Sequence, residues 1–461
     1  VDNVLSGMKA GFKAILNLFK HPNGESRMFN RKRSLTLSAT LLALIMGASV
    51  FLGSPAAAEE PQYGGTLTWI SLRAGDQPKS WDSVHITGYW WGQGWQTPYS
   101  TTLLKGDVEK YGPRGTGEFD FMSHFYIPDQ YIFGDLAESW EITEDKHVFR
   151  LRKGAMWLGN DLIGMEPREI TADDVVFHFN RSRDGAQGKA NLKQVRDVYA
   201  EDRYTVVFDL KNFSADWPQW IGYGPGANII PPEVVEAGPD NWRHQVSSGP
   251  FILKDYLPGS VITYEKNPDH WWTTTIDGKV YDDIPFINKL VHPLIPDAAA
   301  RLAALRTGKA DGMEYMPFKD KKTLPDDLSS RPWIPSGSLN VAFNNQRGKW
   351  KDRNVRRAMN IGTDREALGT AVHGEGSGYT IHTVFGFGTP IITPIEEMPE
   401  ETRMLFEYNP ELAKKMLADA GYPDGFDMEL VIRGAGGVSE YENHGSVIAS
   451  QWAKIGVNVN L

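Results

Sequence analysis

The amino-acid sequence predicts an α/β protein of two lobes, built from mixed sheets flanked by helices. Three observations carry that expectation. The chain has 461 residues, and the roughly 400 that follow a leader-like N-terminus can bury more than one core. Segments with strand-like alternation, such as Tyr63 to Ile70 after a glycine pair, are interleaved with helical segments along the whole chain. Several of those helices carry clean start and stop signals of their own.

At the N-terminus, Arg31-Lys32-Arg33 precedes an apolar stretch from Leu35 to Leu52, which ends in Pro55-Ala56-Ala57-Ala58-Glu59. The order basic, apolar, small-residue exit reads as a secretory signal cleaved after Ala58. A membrane anchor is the alternative, because the apolar stretch approaches the length needed to span a bilayer. Residues 1–27 stand upstream of a complete signal and read as an extension from an early start codon. The first 58 residues carry seven Lys/Arg against two Asp/Glu, so without them the formal charge moves from −10 to −15. A surface that acidic argues against nucleic acid and anionic lipid as partners. The chain has no Cys, which excludes disulfides, thiolate metal sites and a lipidated cysteine.

Further along, Thr171 is placed to cap a helix whose Asp173 and Asp174 face the positive end of the dipole, with Val175, Val176 and Phe179 on its buried face. Phe251 to Tyr256 and Val261 to Lys266 read as two strands joined by a turn at Pro258-Gly259, closed by Asn267-Pro268 and a Trp271-Trp272 pair to bury. Pro296-Asp297 opens a helix from Ala298 to Arg306 that Gly308 closes. Asn409-Pro410-Glu411 opens another over Leu412 to Ala420, ended by Gly421.

The string Ser248-Gly249-Pro250-Phe251, the Pro-Gly turn and Asn267-Pro268-Asp269-His270-Trp271 resemble the signature of the solute-binding proteins of the peptide, nickel and opine group of ABC importers. Leu136-Ala137-Glu138-Ser139-Trp140, Phe149-Arg150-Leu151-Arg152-Lys153-Gly154 and Thr171-Ala172-Asp173-Asp174-Val175 resemble further strings of that family. So do Asn344-Asn345, Asp352, Val355-Arg356-Arg357-Ala358 and Asp364-Arg365, and the terminal Gly456-Val457-Asn458-Val459. Lys349-Trp350 departs from the usual Pro-Phe and Gly362 from the usual Ala, which puts a loop shape and a helix end in doubt. The resemblance runs from Tyr63 to Leu461. It implies a periplasmic-binding-protein fold with a hinge, in which residues 59–315 form lobe I, with an inserted subdomain at about 103–205. Residues 316–461 then form a lobe II that is incomplete, because family members continue past this point.

No catalytic motif stands out: there is no G-x-S-x-G, H-E-x-x-H, P-loop or strand-borne G-x-G-x-x-G. The eleven His include no i, i+4 pair, so a zinc site has no support in the spacing. Asp326-Asp327 and Glu396-Glu397 read as solvated surface. Gly434-Ala435-Gly436-Gly437 lacks the Lys-Ser/Thr of a phosphate loop and reads as a turn or a close backbone approach to ligand.

What the chain offers is aromatic surface. Trp81, Tyr89, Trp90, Trp91, Trp95 and Tyr99 crowd one segment punctuated by Gly88, Gly92 and Gly94, able to stack on a solute unless they pack in the core. The resemblance places this segment along the cleft. On the opposing lobe the candidates are His382, Phe385, Arg433, Gly436 and Tyr441, with Arg433 able to pair a carboxylate in bidentate fashion. The resemblance implies a monomeric periplasmic protein without cofactor or catalysis. It would capture an oligopeptide-like solute by closing two lobes and present it to an ABC permease. Fifteen Trp keep an oligosaccharide or an opine open as the ligand. A periplasmic hydrolase, or a sensor or chaperone on the same fold, is the rival class.

Overall fold

A computed structural model describes residues 60–461, apart from 72–77, 86–92, 122–125, 315, 332–338, 378–392 and 433–439. The chain divides into Val1–Glu60 and Pro61–Leu461, and the described residues belong, but for Glu60, to the second unit. Its early strands are β1 (Thr66–Ile70), β2 (Leu104–Gly106), β3 (Ile132–Gly134), β4 (Ala137–Ile142), β5 (Lys146–Leu151), β6 (Met156–Trp157) and β7 (Arg168–Glu169). Next come β8 (Val195–Asp202), β9 (Thr205–Leu210), β10 (Phe251–Leu257), β11 (Val261–Lys266), β12 (Thr274–Ile276) and β13 (Lys279–Tyr281). The last are β14 (Lys289–Pro293), β15 (Gly312–Met313), β16 (Phe426–Glu429) and β17 (Val457–Asn460). The principal helices are α1 (Gln93–Gln96), α2 (Val108–Tyr111), α3 (Ala172–Asp184), α4 (Pro232–Ala237) and α5 (Ala298–Arg306). They continue with α6 (Arg353–Ile361), α7 (Arg365–His373), α8 (Pro410–Asp419) and α9 (Glu440–Ala453).

Five strands make a mixed sheet in the order β10-β11-β14-β1-β15. The β10–β11 hairpin is the one its turn residues predict, with Gly259 in the left-handed region at φ 74°. Alternation along β11 and β14 points Ile262, Tyr264, Leu290 and His292 inward. β14 and β15 flank β1 in parallel, and Trp69 of β1 covers Gly312 so closely that a Cβ there would lie 2.2 Å from its ring.

A second, antiparallel sheet in the order β4-β5-β9-β8 packs against α3. Val175 and Phe179 of α3 are fully buried, and Val176 lies partly buried against the same core. Phe179 and Phe149 both meet Phe208 edge-on, at 5.0 and 5.5 Å between ring centres. Thr171 is the N-cap of α3, and the Asp174 carboxylate accepts its backbone N–H at 2.9 Å. The same carboxylate takes two bonds from Arg168, at 2.6 and 2.9 Å, while Arg168 forks onto Glu233 of α4 at 2.7 and 2.9 Å. One planar guanidinium thus ties β7, α3 and α4 together. Trp271 and Trp272 are half-buried: Trp271 packs on this core, and Trp272 carries the Lys105 ammonium 3.5 Å above its ring.

A third group of helices, α6, α8 and α9, packs with the parallel pair β16–β17 around Val355, Met359, Leu417, Trp452 and Val457. The helices start where capping residues dictate, with Asn409 accepting from Leu412 N–H at 2.9 Å and Asp364 from Ala367 N–H at 2.9 Å. The two departures from the family string have local accounts. Trp350 stacks on Phe343 at 4.4 Å while Lys349 lies over Phe426 and donates to the Asp427 carbonyl at 3.0 Å. A Cβ on Gly362 would sit 2.7 Å from Ile455, so the glycine lets the end of α6 close on its neighbour. The strand expected over Met428 to Ile432 begins two residues earlier and ends at Glu429.

The Ser248-Gly249-Pro250-Phe251 junction works through backbone contact. The Tyr99 carbonyl accepts from Ser248 N–H and Gly249 N–H, both at 2.9 Å, and from Ser247 Oγ at 3.0 Å. A Cβ on Gly249 would lie 2.8 Å from the Ser100 oxygen and from the Tyr99 carbonyl carbon. Gly249→Ala must therefore push two backbones apart, and we expect a loss of about 1–3 kcal/mol, measured as a lowered midpoint in urea at unchanged slope.

His147, His178 and His270 are held at a pKa of about 4, chiefly because burial disfavours the charged ring. Unfolded histidine titrates near 6.5, so between these values the unfolded chain takes up protons that the folded chain refuses. Stability is then full above about pH 6.5 and falls as pH drops toward about 4. Melting temperatures across that window should show the decline, and a flat profile from pH 7 to pH 4.5 would contradict it.

Candidate functional site

In sheets with parallel strands, ligand chemistry collects at the carboxyl ends of those strands. Here β1 and β15 finish side by side at Ile70 and Met313, and the next residues are Ser71 and Glu314. Ser71 Oγ donates to Glu314 Oε2 at 3.2 Å, and the Glu314 backbone N–H donates to the Ile70 carbonyl at 2.9 Å. Ser71 is buried and Glu314 half-buried. The register that brings them together is fixed by Asp311, whose carboxylate accepts from Thr68 N–H at 2.7 Å and whose N–H returns to the Thr68 carbonyl at 2.8 Å. Behind them His292 Nδ1 donates to the Trp69 carbonyl at 2.8 Å. Burial lowers the pKa of His292 against the opposing pull of that bond and of Glu314.

Sequence reasoning stopped one residue short of Glu314. Its carboxylate follows the Ala310-Asp311-Gly312-Met313 passage, and only the pairing with β1 makes it a neighbour of Ser71.

Two of the aromatic candidates are core residues, which corrects the expectation that they face a ligand. Trp81 is 3 % and Trp95 2 % exposed, alongside Tyr99 at 2 %. Trp81 meets Tyr256 edge-on at 5.3 Å, Trp95 meets His292 at 6.1 Å, and Tyr264 donates its hydroxyl to the Trp95 carbonyl at 2.8 Å. Their rings fill the space between the sheet and the segment itself, so burial of apolar area decides their place. Tyr89, Trp90, Trp91, His382, Phe385, Arg433 and Gly436 lie outside the described residues. Tyr441 is half-buried in the first turn of α9.

The flanks of residues 86–92 are fixed by polar contacts. Before them, Asp82 pairs with Arg181 of α3 in bidentate fashion, with one bond at 2.8 Å, and accepts from Val84 N–H at 3.0 Å. Burial works to raise the Asp82 pKa, but Arg181 and the Val84 N–H outweigh it and hold the carboxyl below its usual range. Ser80 Oγ donates to Asp240. After them, Gln96 Nε2 reaches back to the Trp81 carbonyl at 2.7 Å, and Ser100 Oγ donates to Asn228 at 2.9 Å. These buried bonds are satisfied on both partners, which makes them rigid anchors.

Among the described residues, no group of three or more His, Cys, Asp or Glu could hold a metal ion, and no helix is long and apolar enough to cross a membrane. Asp326, Asp327, Glu396 and Glu397 are all exposed.

A family model for bacterial extracellular solute-binding proteins, family 5 (middle region), matches residues 132–461. Heme-binding protein A of Haemophilus influenzae is 28 % identical over 70 % of this chain and 60 % of its own length. The dipeptide-binding protein of Escherichia coli is 27 % identical over 74 % of this chain and 65 % of its own. The chain thus spans less than two thirds of these two relatives. Among solved structures, DppA from Helicobacter pylori in complex with peptide STSA superposes with a TM-score of 0.65 at 22 % identity, covering 87 % of this chain and 74 % of that one. AgaA from A. tumefaciens R10 in complex with agropinic acid gives 0.63 at 24 % identity, covering 86 % and 72 %. At that identity the likeness concerns the fold, which is the two-lobed α/β fold of periplasmic binding proteins. The chain belongs to the bacterial extracellular solute-binding proteins of family 5.

Proposed function

We propose that this protein captures an oligopeptide-like solute between two lobes and hands it unchanged to the permease of an ABC importer. The observation that carries the reading is the Ser71–Glu314 pair at the joint carboxyl end of β1 and β15, in a chain of a solute-binding family. A half-buried carboxylate with a hydroxyl beside it suits the free amino group of a peptide, which needs charge-assisted acceptors. Residues 59–315 would form the first lobe, with the layer at about 103–205 inserted in it, and 316–461 part of the second. Tyr89, Trp90 and Trp91 would line the first lobe's face of the cleft, and His382, Phe385, Arg433, Gly436 and Tyr441 the other. Export through the segment ending at Ala58 would put the protein in the periplasm, as a monomer without cofactor. An opine is the second reading, favoured by the agropinic acid held by a structural neighbour; its carboxylates would turn to Arg433.

Solute that touches both lobes only in the closed form shifts the open–closed equilibrium by its differential contact. Small-angle scattering of the full-length protein should therefore show a smaller radius of gyration once a bound peptide is present. Identical curves with and without a tightly bound solute would end the clamping mechanism.

Glu314→Gln keeps the shape and removes the charge. Affinity for a free-amino peptide should drop about tenfold or more, the scale of one charge-assisted hydrogen bond, while N-acetylated peptide binds both forms equally. Calorimetry with the two peptides distinguishes this from a general loss of fold, which would weaken both.

A further inference from the structure

Between residues 347 and 357 the chain carries six cations, Arg347, Lys349, Lys351, Arg353, Arg356 and Arg357, against one carboxylate, Asp352. That carboxylate is already committed, since it is the N-cap of α6 and accepts from Asn354 N–H at 2.7 Å. Among the described residues, no ion pair joins any of the six cations to a carboxylate. Arg356 folds back onto the Trp350 and Lys351 carbonyls, and Lys349 reaches the Asp427 carbonyl at 3.0 Å. Those contacts hold the 3₁₀ turn Gly348–Lys351 against the start of α6 and neutralise neither charge. Arg347, Lys351 and Arg353 are exposed, and the other three are half-buried.

Local rules oppose this arrangement twice. A helix N-terminus carries partial positive charge and disfavours cations in the first turn, yet α6 begins with Arg353 and has no acidic residue there. Residues four apart share one helix face, where like charges repel, and Arg353 and Arg357 stand at that spacing. Local rules broken without compensation mark functional sites, and here an anionic partner supplies what is missing. The surroundings indicate its class. Protein interfaces centre on apolar and aromatic anchors, whereas no large apolar side chain is exposed between residues 341 and 357. A lipid headgroup surface needs charge alone, and clusters of about four to eight Lys/Arg are what anionic headgroups attract. We propose that the basic face at 347–357 adsorbs the protein on anionic phospholipid headgroups, without insertion. The acidic total argues against such a partner for the molecule as a whole, but screening over about 8 Å confines that repulsion, so the nearest face decides. The proposal goes beyond the solute-binding reading and rests on it in one respect: export makes lipid, not nucleic acid, the polyanion that the face meets.

The chain has no Cys, so Asn354→Cys gives the full-length protein a single thiol for an environment-sensitive dye. Its signal is local to the face, whatever residues 1–58 contribute to membrane binding. Titration with vesicles of phosphatidylglycerol and phosphatidylcholine in equal parts should shift the dye to the blue, less so at high salt, and vesicles of phosphatidylcholine alone should not. A second protein adds Lys351→Glu, Arg353→Glu and Arg357→Glu. Its control adds Lys193→Glu, Lys254→Glu and Lys415→Glu, exposed positions elsewhere with the same change in net charge. Each cation beside an anionic surface is worth about fivefold in partition, so the first set should weaken adsorption about a hundredfold, while the control set leaves it nearly intact. Because Glu suits a helix N-terminus, the first set should melt at or above the wild-type temperature, which separates lost adsorption from lost fold. A dye that stays unshifted, that shifts equally on phosphatidylcholine, or that shifts equally with the first set in place overturns the proposal. Adsorption by a protein that binds no solute would keep the lipid face and remove the transport reading; solute binding without adsorption would do the reverse.

Discussion

Much of the first sheet's geometry depends on one carbonyl oxygen. Tyr99 presents it to Ser247 Oγ, Ser248 N–H and Gly249 N–H, so the chain leaving the segment around 80–100 and the chain entering the β10–β11 hairpin touch backbone to backbone. No residue with a Cβ fits at Gly249 without displacing Tyr99 and Ser100. Pro250 follows, and its fixed φ sends the chain straight into β10, while Asn267 closes the far end of the hairpin by donating from Nδ2 to the Gly249 carbonyl at 2.9 Å. The hairpin, the Trp81–Tyr99 segment and the central strands thereby share one origin.

From that origin the polar anchors radiate. Gln96 and Ser100 reach Asn228, and Asp82 reaches Arg181 on α3, which is itself started by the Asp174–Arg168–Glu233 cluster. Buried ionic groups of this kind are costly to break one at a time, because the partner is left uncompensated. They are therefore better understood as devices that fix position than as net sources of stability. What they fix is the pair of flanks around residues 86–92, a stretch that carries Tyr89, Trp90 and Trp91.

Local chemistry was the legible part of the sequence. The turn at Pro258-Gly259 and the stop at Asn267-Pro268 bound two strands that the structure reproduces to within one residue, and Asp297 with Gly308 bound a helix over Ala298–Arg306 as expected. These signals act within a few residues of the positions they determine. Side-chain destinations were less legible. Trp81 and Trp95 carry the same apolar area whether they face solute or core, and only the face of the sheet on which they pack decides between the two. Ser71 with Glu314, and His373 with His444, come from distant segments brought together by strand pairing and helix packing, so no spacing rule could find them.

The two strand-end edges differ in chemistry, and the difference matters for how a clamp would work. One would offer the proposed acceptor of an amino group, a carboxylate beside a hydroxyl, while the other carries the His373–His444 ring contact. A single charge-assisted hydrogen bond is worth about 1.5–3 kcal/mol. Made only in the closed form, it shifts the open–closed ratio by about one to two decades. A solute engaging one edge alone binds open and closed forms alike and moves nothing, however tightly it is held. Selectivity in such a device lies in which solutes can bridge.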